Sequence, residues 1–344
     1  MPRSLANTAI VGQAIVGVLA IALVAACSPN TTPAPSSAAR TKLTVGLGYI
    51  PSVQFAAFYR ADQAGYYTAE GLDVTFQFAI DADLVPKVGA GIVDLGLSDG
   101  TSVIPAVGQG IPIRYLATIY GQFPSIVFAK ASSGITDADG LVGKKLGIPG
   151  MYGSSWIMLK ALLASKHHTV GDLTIVPYPD FGQGVALAQG AVDAATGFVN
   201  NEPVQLELTG TKVNILHIDD VTPLPGPGII AGAAAISGNK DAVAGFVRAT
   251  LKAMNEIATT PSVGLDAAIK AVPDLGKDRA TQQAILQATI DAWRPLGAAA
   301  GAPISGAVDT AAWEKSLAFM TSLDLVSKPI TVPELVDTSF VPGS

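Results

Sequence analysis

From residue 42 onward the chain alternates short, almost wholly apolar runs with stretches of helical period, and this alternation restricts it to an α/β architecture. The first run, residues 42–49, ends in the turn Tyr49-Ile50-Pro51-Ser52; a helix is predicted over 53–64 and a second strand over 72–78. A strand, a helix-length stretch and another strand form a βαβ unit, whose crossover connection implies parallel pairing. The pattern continues with helices over 83–90 and 100–108 and strands over 93–97, 113–119 and 125–129. A further set has strands over 146–148, 173–177 and 193–198 and helices over 154–165 and 182–190. After an apolar strand over 229–236 only helices remain, over 240–259, 261–271, 278–293 and 310–323, with Trp293 and Trp313 as expected core residues.

The residues ahead of this pattern read as an address. Arg3 supplies a positive start, residues 14–26 are almost all apolar, and Val24-Ala25-Ala26 places small residues before Cys27. Together these make a secretory signal over 1–26, and the apolar run is shorter than the ~20 residues of a membrane-spanning helix. Val24-Ala25-Ala26-Cys27 resembles a lipobox, so lipidation of Cys27 is expected, with residues 27–41, rich in Pro, Ser, Thr and Ala, as a flexible tether. Because Cys27 is the only cysteine among 344 residues, a disulfide framework and a cysteine-built zinc site are excluded. A chain of this length exceeds one ordinary core and implies two lobes. The net charge of −6 argues against nucleic acid as a partner. His167 and His168 lie in a polar stretch with His217 as the only other imidazole, so they read as surface residues and no metal is expected.

Five clusters fall at the ends of predicted strands: Tyr49-Ile50-Pro51-Ser52, Ser98-Asp99-Gly100-Thr101, Tyr120-Gly121-Gln122-Phe123, residues 149–155, and Asn200-Asn201-Glu202. In open α/β sheets, ligands bind outside the carboxyl ends of the strands. The clusters hold aromatics, hydroxyls, amides, two carboxylates and few cations, which suits a flat, hydrogen-bonding, neutral or weakly cationic ligand better than a phosphate or sulfonate. Tyr49, Phe55, Tyr120 and Tyr152 are candidates for stacking; Asp99, Ser154, Asn201 and Glu202 are candidates for its polar edge, with Gln54 and Thr101 completing the set. Two clusters keep a second reading. Residues 150–155 form either a grip of free backbone N–H groups or a plain glycine turn with Ser154 as N-cap. Glu202 either accepts hydrogen bonds from the ligand or sits in the first turn of a helix.

The segments Gly48-Tyr49-Ile50-Pro51, Phe58-Tyr59-Arg60-Ala61, residues 65–74, Gln109-Gly110-Ile111-Pro112, residues 141–150 and residues 190–195 resemble, in order and spacing, the NMT1/THI5-like and SsuA-like solute-binding proteins of ABC importers. The resemblance covers roughly residues 41–216. It implies a type II periplasmic-binding fold, with two lobes joined by two crossing strands near 125–130 and 229–236 and a ligand cleft between them. The first lobe is then 42–128 plus 232–344 and the second 129–231. It further implies an extracytoplasmic, membrane-anchored monomer without a cofactor, handing a small molecule to a permease and its ATPase after lobe closure.

Residues 49–55 and 198–203 are similar to binding proteins for thiamine-precursor pyrimidines and for riboflavin, in which the glutamate aligned with Glu202 faces the ligand. Alkanesulfonate or taurine binding, and a sensory lipoprotein, are the alternative roles. Pyrimidine synthases of the family carry a cysteine-rich iron motif and a consumed histidine. Here Phe55 stands at the histidine's place and Cys27 is the only cysteine, so an enzyme is not expected.

Overall fold

The computed structural model describes residues 39–78, 81–299 and 301–342. The expected signal, Cys27 and most of the tether lie outside the described residues. The ten strands are β1 (Thr41–Leu47), β2 (Leu72–Phe78), β3 (Leu95–Ser98), β4 (Ile113–Thr118), β5 (Ser125–Lys130), β6 (Lys145–Ile148), β7 (Thr174–Pro177), β8 (Ala194–Phe198), β9 (Val213–His217) and β10 (Gly228–Gly232). They form two five-stranded sheets, ordered β2-β1-β3-β10-β4 and β7-β6-β8-β5-β9. The α/β expectation is met. β1 and β2 pair in parallel along their full lengths, from Thr41 with Leu72 to Leu47 with Phe78.

Each sheet contains one reversed strand. β10 runs antiparallel to β3 and β4, and β5 runs antiparallel to β8 and β9. Both are covered on two faces. Ile229 and Ala231 of β10 join one apolar cluster while Ile230 joins another; in β5, Val127 and Ala129 alternate with Ile126 and Phe128 in the same manner. This two-residue period with both faces buried explains why these strands read as continuous apolar runs. Trp293 and Trp313 are core residues, as expected.

The chain changes sheet between β4 and β5, over residues 119–124, and between β9 and β10, over residues 218–227. β5 therefore lies wholly in the second sheet and β10 wholly in the first, whereas the expected boundaries at 128/129 and 231/232 cut through both strands. The apolar run 229–236 also divides, because Ala233–Gly238 is a short helix. Apolarity does not separate a buried strand from a helix in so short a run, and alanine favours the helix. β9 was not expected. It is an edge strand with only Leu216 buried, so it lacks an alternating signature.

The two crossings are bonded to each other. The carbonyl of Pro227 accepts from Ile119 N at 3.1 Å and Tyr120 N at 2.9 Å. Phe123 N donates to Asp219 Oδ2 at 3.2 Å, and burial pushes the Asp219 carboxyl up to about 6. A Cβ at Gly226 would press into the carbonyl oxygens of Tyr120 and Gln122, both backbone atoms that cannot swing aside. G226A is expected to lower stability by about 1–3 kcal/mol through overpacking, read as a shifted urea midpoint; a wild-type midpoint would contradict this contact.

Candidate functional site

Six forward strands, β1, β3 and β4 of the first sheet and β6, β7 and β8 of the second, lead into a common cavity, with Pro227 of the second crossing also in its wall. Its empty space, open mouth included, is about 1040 Å³. After β1 the chain turns at once, Tyr49 N bonding Leu47 O at 2.8 Å. Ser52 then caps a single 3₁₀ turn, Val53–Phe55, by accepting from Gln54 N at 3.2 Å. That turn sets Gln54 and Phe55 into the cavity wall beside Tyr49. From the end of β3 come Leu97 and Ser98, and from the end of β4, Tyr120.

Asp99 and Thr101 are not brought to the cavity, which corrects the expectation for both. Asp99 is the N-cap of the Gly100–Gly108 helix, accepting from Ser102 N at 3.0 Å and from Thr101 Oγ1 at 2.6 Å. Burial pushes its carboxyl up, and these donors pull it back. A buried carboxylate needs such partners, and the helix start supplies them.

Past β6, Gly153 takes a left-handed φ of +66° and opens the Gly153–Ala164 helix. Its N-cap is Tyr152, with no side-chain capping bond, so Ser154 is not the cap; Ser154 lies in the first turn and lines the cavity together with Gly153 and Ser155. The Tyr152 ring lies against Gly150, where no side chain would fit, and is 45% exposed at the rim.

β8 delivers Asn201 and Glu202. Glu202 folds back over the strand end, its Oε2 accepting from Phe198 N at 2.9 Å and its Oε1 from Gln183 Nε2 at 3.3 Å. Two glycines make the room: a Cβ at Gly197 would lie 2.7 Å from Glu202 Oε2, and one at Gly184 would lie 3.2 Å from Glu202 Cγ. Burial pushes the Glu202 carboxyl up to about 7 against the pull of the Phe198 N–H. The accessible surface that Glu202 retains belongs to a residue of the cavity wall. Tyr49 is pushed up to about 12, first by burial and then by the charge of Glu202.

Tyr49, Gln54, Phe55, Tyr120, Tyr152, Ser154, Asn201 and Glu202 thus share one cavity. Ser98 and Ser155, members of two of the candidate clusters, also line the wall, as do Phe181 and Gln183, which the sequence reading did not single out. Phe181 has a φ of +60° and meets Tyr49 edge to face, ring centres 5.2 Å apart, joining the β7 loop to the β1 loop. Ser98 Oγ and Gln183 Oε1 are buried without a hydrogen-bond partner. The residues past β7 follow the same strand-end rule that located the other clusters, and that rule would have found Phe181 and Gln183. No Lys, Arg or His is among the described wall residues.

The description NMT1/THI5 like belongs to a family profile that matches residues 52–263. Riboflavin-binding protein RibY of Chloroflexus aurantiacus is 33% identical over 95% of this chain and 97% of its own length. The formylaminopyrimidine-binding protein of Halalkalibacterium halodurans is 28% identical over 57% of this chain and 59% of its own. A 4-amino-5-hydroxymethyl-2-methylpyrimidine phosphate synthase of Legionella pneumophila is 27% identical over 54% and 58%. With these last two the match spans little more than half of either partner. In fold, the chain is similar to the alkanesulfonate-binding protein SsuA of Xanthomonas axonopodis pv. citri, at a TM-score of 0.68 and 17% identity over 88% of this chain and 100% of that one. With the family profile covering more than half of its length and RibY aligned almost end to end, this chain belongs to the NMT1/THI5-like family.

Proposed function

We propose that the protein is the extracytoplasmic solute-binding component of an ABC importer, held at the membrane through Cys27, and that it captures a flat nitrogen heteroaromatic molecule of the riboflavin class. The observation that carries the ligand class is the cavity wall itself: six aromatic residues, hydroxyls and amides surround a single carboxylate, with no cationic side chain among the described residues. Such a wall stacks on a neutral ring and accepts from its N–H groups. It offers a sulfonate or phosphate no counter-charge, and Glu202 opposes one. Riboflavin is favoured over a bare pyrimidine because RibY aligns over nearly the whole chain, whereas the pyrimidine-binding relative aligns over 57% of it.

Binding rather than turnover is the proposed activity. Phe55 lines the cavity at the place where the family's synthases use a histidine, and a phenyl ring supplies no nitrogen. In this reading the ring lies among Tyr49, Phe55 and Tyr120, Glu202 and Asn201 meet its polar edge, and Tyr152 covers the rim. Ligand contacts made with both lobes favour closure over the open state, and this difference is what a permease can recognise.

Thermal-shift and calorimetric titration test the ligand class. Riboflavin is expected to stabilise the protein, with taurine and alkanesulfonates leaving its melting temperature unchanged; stabilisation by a sulfonate alone would overturn the reading. Glu202 adds a pH signature. Its folded-state pKa of about 7 lies above the ordinary 4.5, so between these values the folded protein keeps a proton that the unfolded chain has released. Ligand-free stability is therefore expected to fall by about 1–3 kcal/mol as pH rises from 4.5 through 7, and then to level off. Affinity for a ligand that donates N–H runs the other way, rising about three- to tenfold between pH 6 and pH 8 as the carboxylate ionises. E202Q is expected to flatten both profiles; a pH-dependent affinity surviving in E202Q would remove Glu202 from the site.

A further inference from the structure

Asn200 is fully buried at 0% exposure, two residues past β8, and is not itself in the cavity wall. Its Nδ2 stands within donating distance of three acceptors: Thr289 Oγ1 at 2.8 Å, Gln54 Oε1 at 3.2 Å and Tyr120 Oη at 3.4 Å. A primary amide has two N–H groups, so one acceptor must go without. Thr289 has spent its own hydroxyl proton on Ile285 O at 2.8 Å and can only accept from Asn200. The reverse amide orientation would set an oxygen against both Thr289 Oγ1 and Gln54 Oε1. One N–H is therefore fixed on Thr289, and the other is contested between Gln54 and Tyr120, both of which line the cavity.

The acceptors belong to the body of the first sheet. Gln54 precedes Phe55, and Thr289 lies in the Arg279–Ala292 helix, whose Ile285, Leu286 and Ile290 share one apolar cluster with Leu43, Val45 and Phe55. Tyr120 opens the first crossing. Asn200 comes from the second sheet, on the same strand end that carries Glu202. We infer that Asn200 is a positioning residue that ties the two lobes behind the cavity wall and, by shifting one N–H between Gln54 and Tyr120, frees whichever of them a ligand engages. The ligand half of this inference rests on the function proposed above; the inter-lobe half does not.

Two measurements test it. Small-angle scattering of the ligand-free protein reads the tie directly: N200A is expected to show a larger radius of gyration than wild type, and an unchanged radius overturns the tie. Riboflavin titration reads the positioning role: N200A is expected to bind at least tenfold more weakly per folded molecule, chiefly through faster dissociation. Adding Q54A to N200A should then cost less affinity than Q54A costs in the wild-type protein, since part of the Gln54 effect passes through Asn200. Affinity equal to wild type, or effects of N200A and Q54A that multiply in full, overturns the positioning role. N200D, which keeps the shape and loses the donors, repeats both measurements if N200A does not fold. Failure of wild type to bind riboflavin would sink the proposed ligand and leave the scattering measurement to decide the tie.

Discussion

The architecture depends on the meeting of the two crossings, where one carbonyl, that of Pro227, accepts from the successive amides of Ile119 and Tyr120. At this point the backbones touch so closely that position 226 has no room for a methyl group. The same stretch is anchored from outside, since Gly121 N and Gln122 N donate to the carbonyls of Trp293 and Ala292 at 3.2 Å each. Each crossing leaves the carboxyl end of a forward strand and enters a reversed one, β5 or β10. The forward strands of both sheets must then open their carboxyl ends toward the crossings. That topological constraint, rather than any single side chain, is why residues as distant in sequence as Gln54, Ser154 and Glu202 share one cavity.

Within the cavity the electrostatics turn on two glycines. Gly197 and Gly184 leave the space into which the Glu202 side chain folds, and the backbone amide of Phe198 holds it there. The backbone amides of Phe198 and of Glu202 itself and the side-chain amide of Gln183 do not offset the lost hydration, and no cation lines the described wall, so the Glu202 carboxyl is pushed up to about 7. Asp99 shows the alternative. It too is buried, but Ser102 N and Thr101 Oγ1 both donate to its Oδ1 at the helix start, which makes it part of the frame.

Much of the fold was legible because its signals are local. The helices predicted over 240–259 and 261–271 coincide with Lys240–Thr259 and Pro261–Ala271, where a clear helical period is bounded by Asn239 on one side and Pro261 on the other. β9 escaped because an edge strand with one buried residue carries no period. The site was legible through the strand-end rule and failed in two ways. Asp99 and Thr101 stand at a strand end, yet their side chains turn back on their own helix, a preference of residues that hydrogen-bond locally. Phe181 and Gln183 were passed over because the loop after β7, with Tyr178, Pro179, Asp180 and Gly182, reads as an ordinary polar turn behind a strand that has no fully buried residue.

Phe181 joins the β7 loop to the β1 loop across the cavity wall at small net gain. A phenylalanine in the left-handed region costs roughly 1–2 kcal/mol, and its edge-to-face contact with Tyr49 is worth about 0.5–1.5 kcal/mol. The two nearly cancel, so the aromatic bridge over the cavity contributes little net stability by itself. Ser98 Oγ and Gln183 Oε1 stay unpaired in the buried wall, at about 1–3 kcal/mol for each such group. Under the proposed function, Glu202 comes from the second lobe and Tyr49, Phe55 and Tyr120 from the first, so a ligand that engages the carboxylate and these rings at once favours closure.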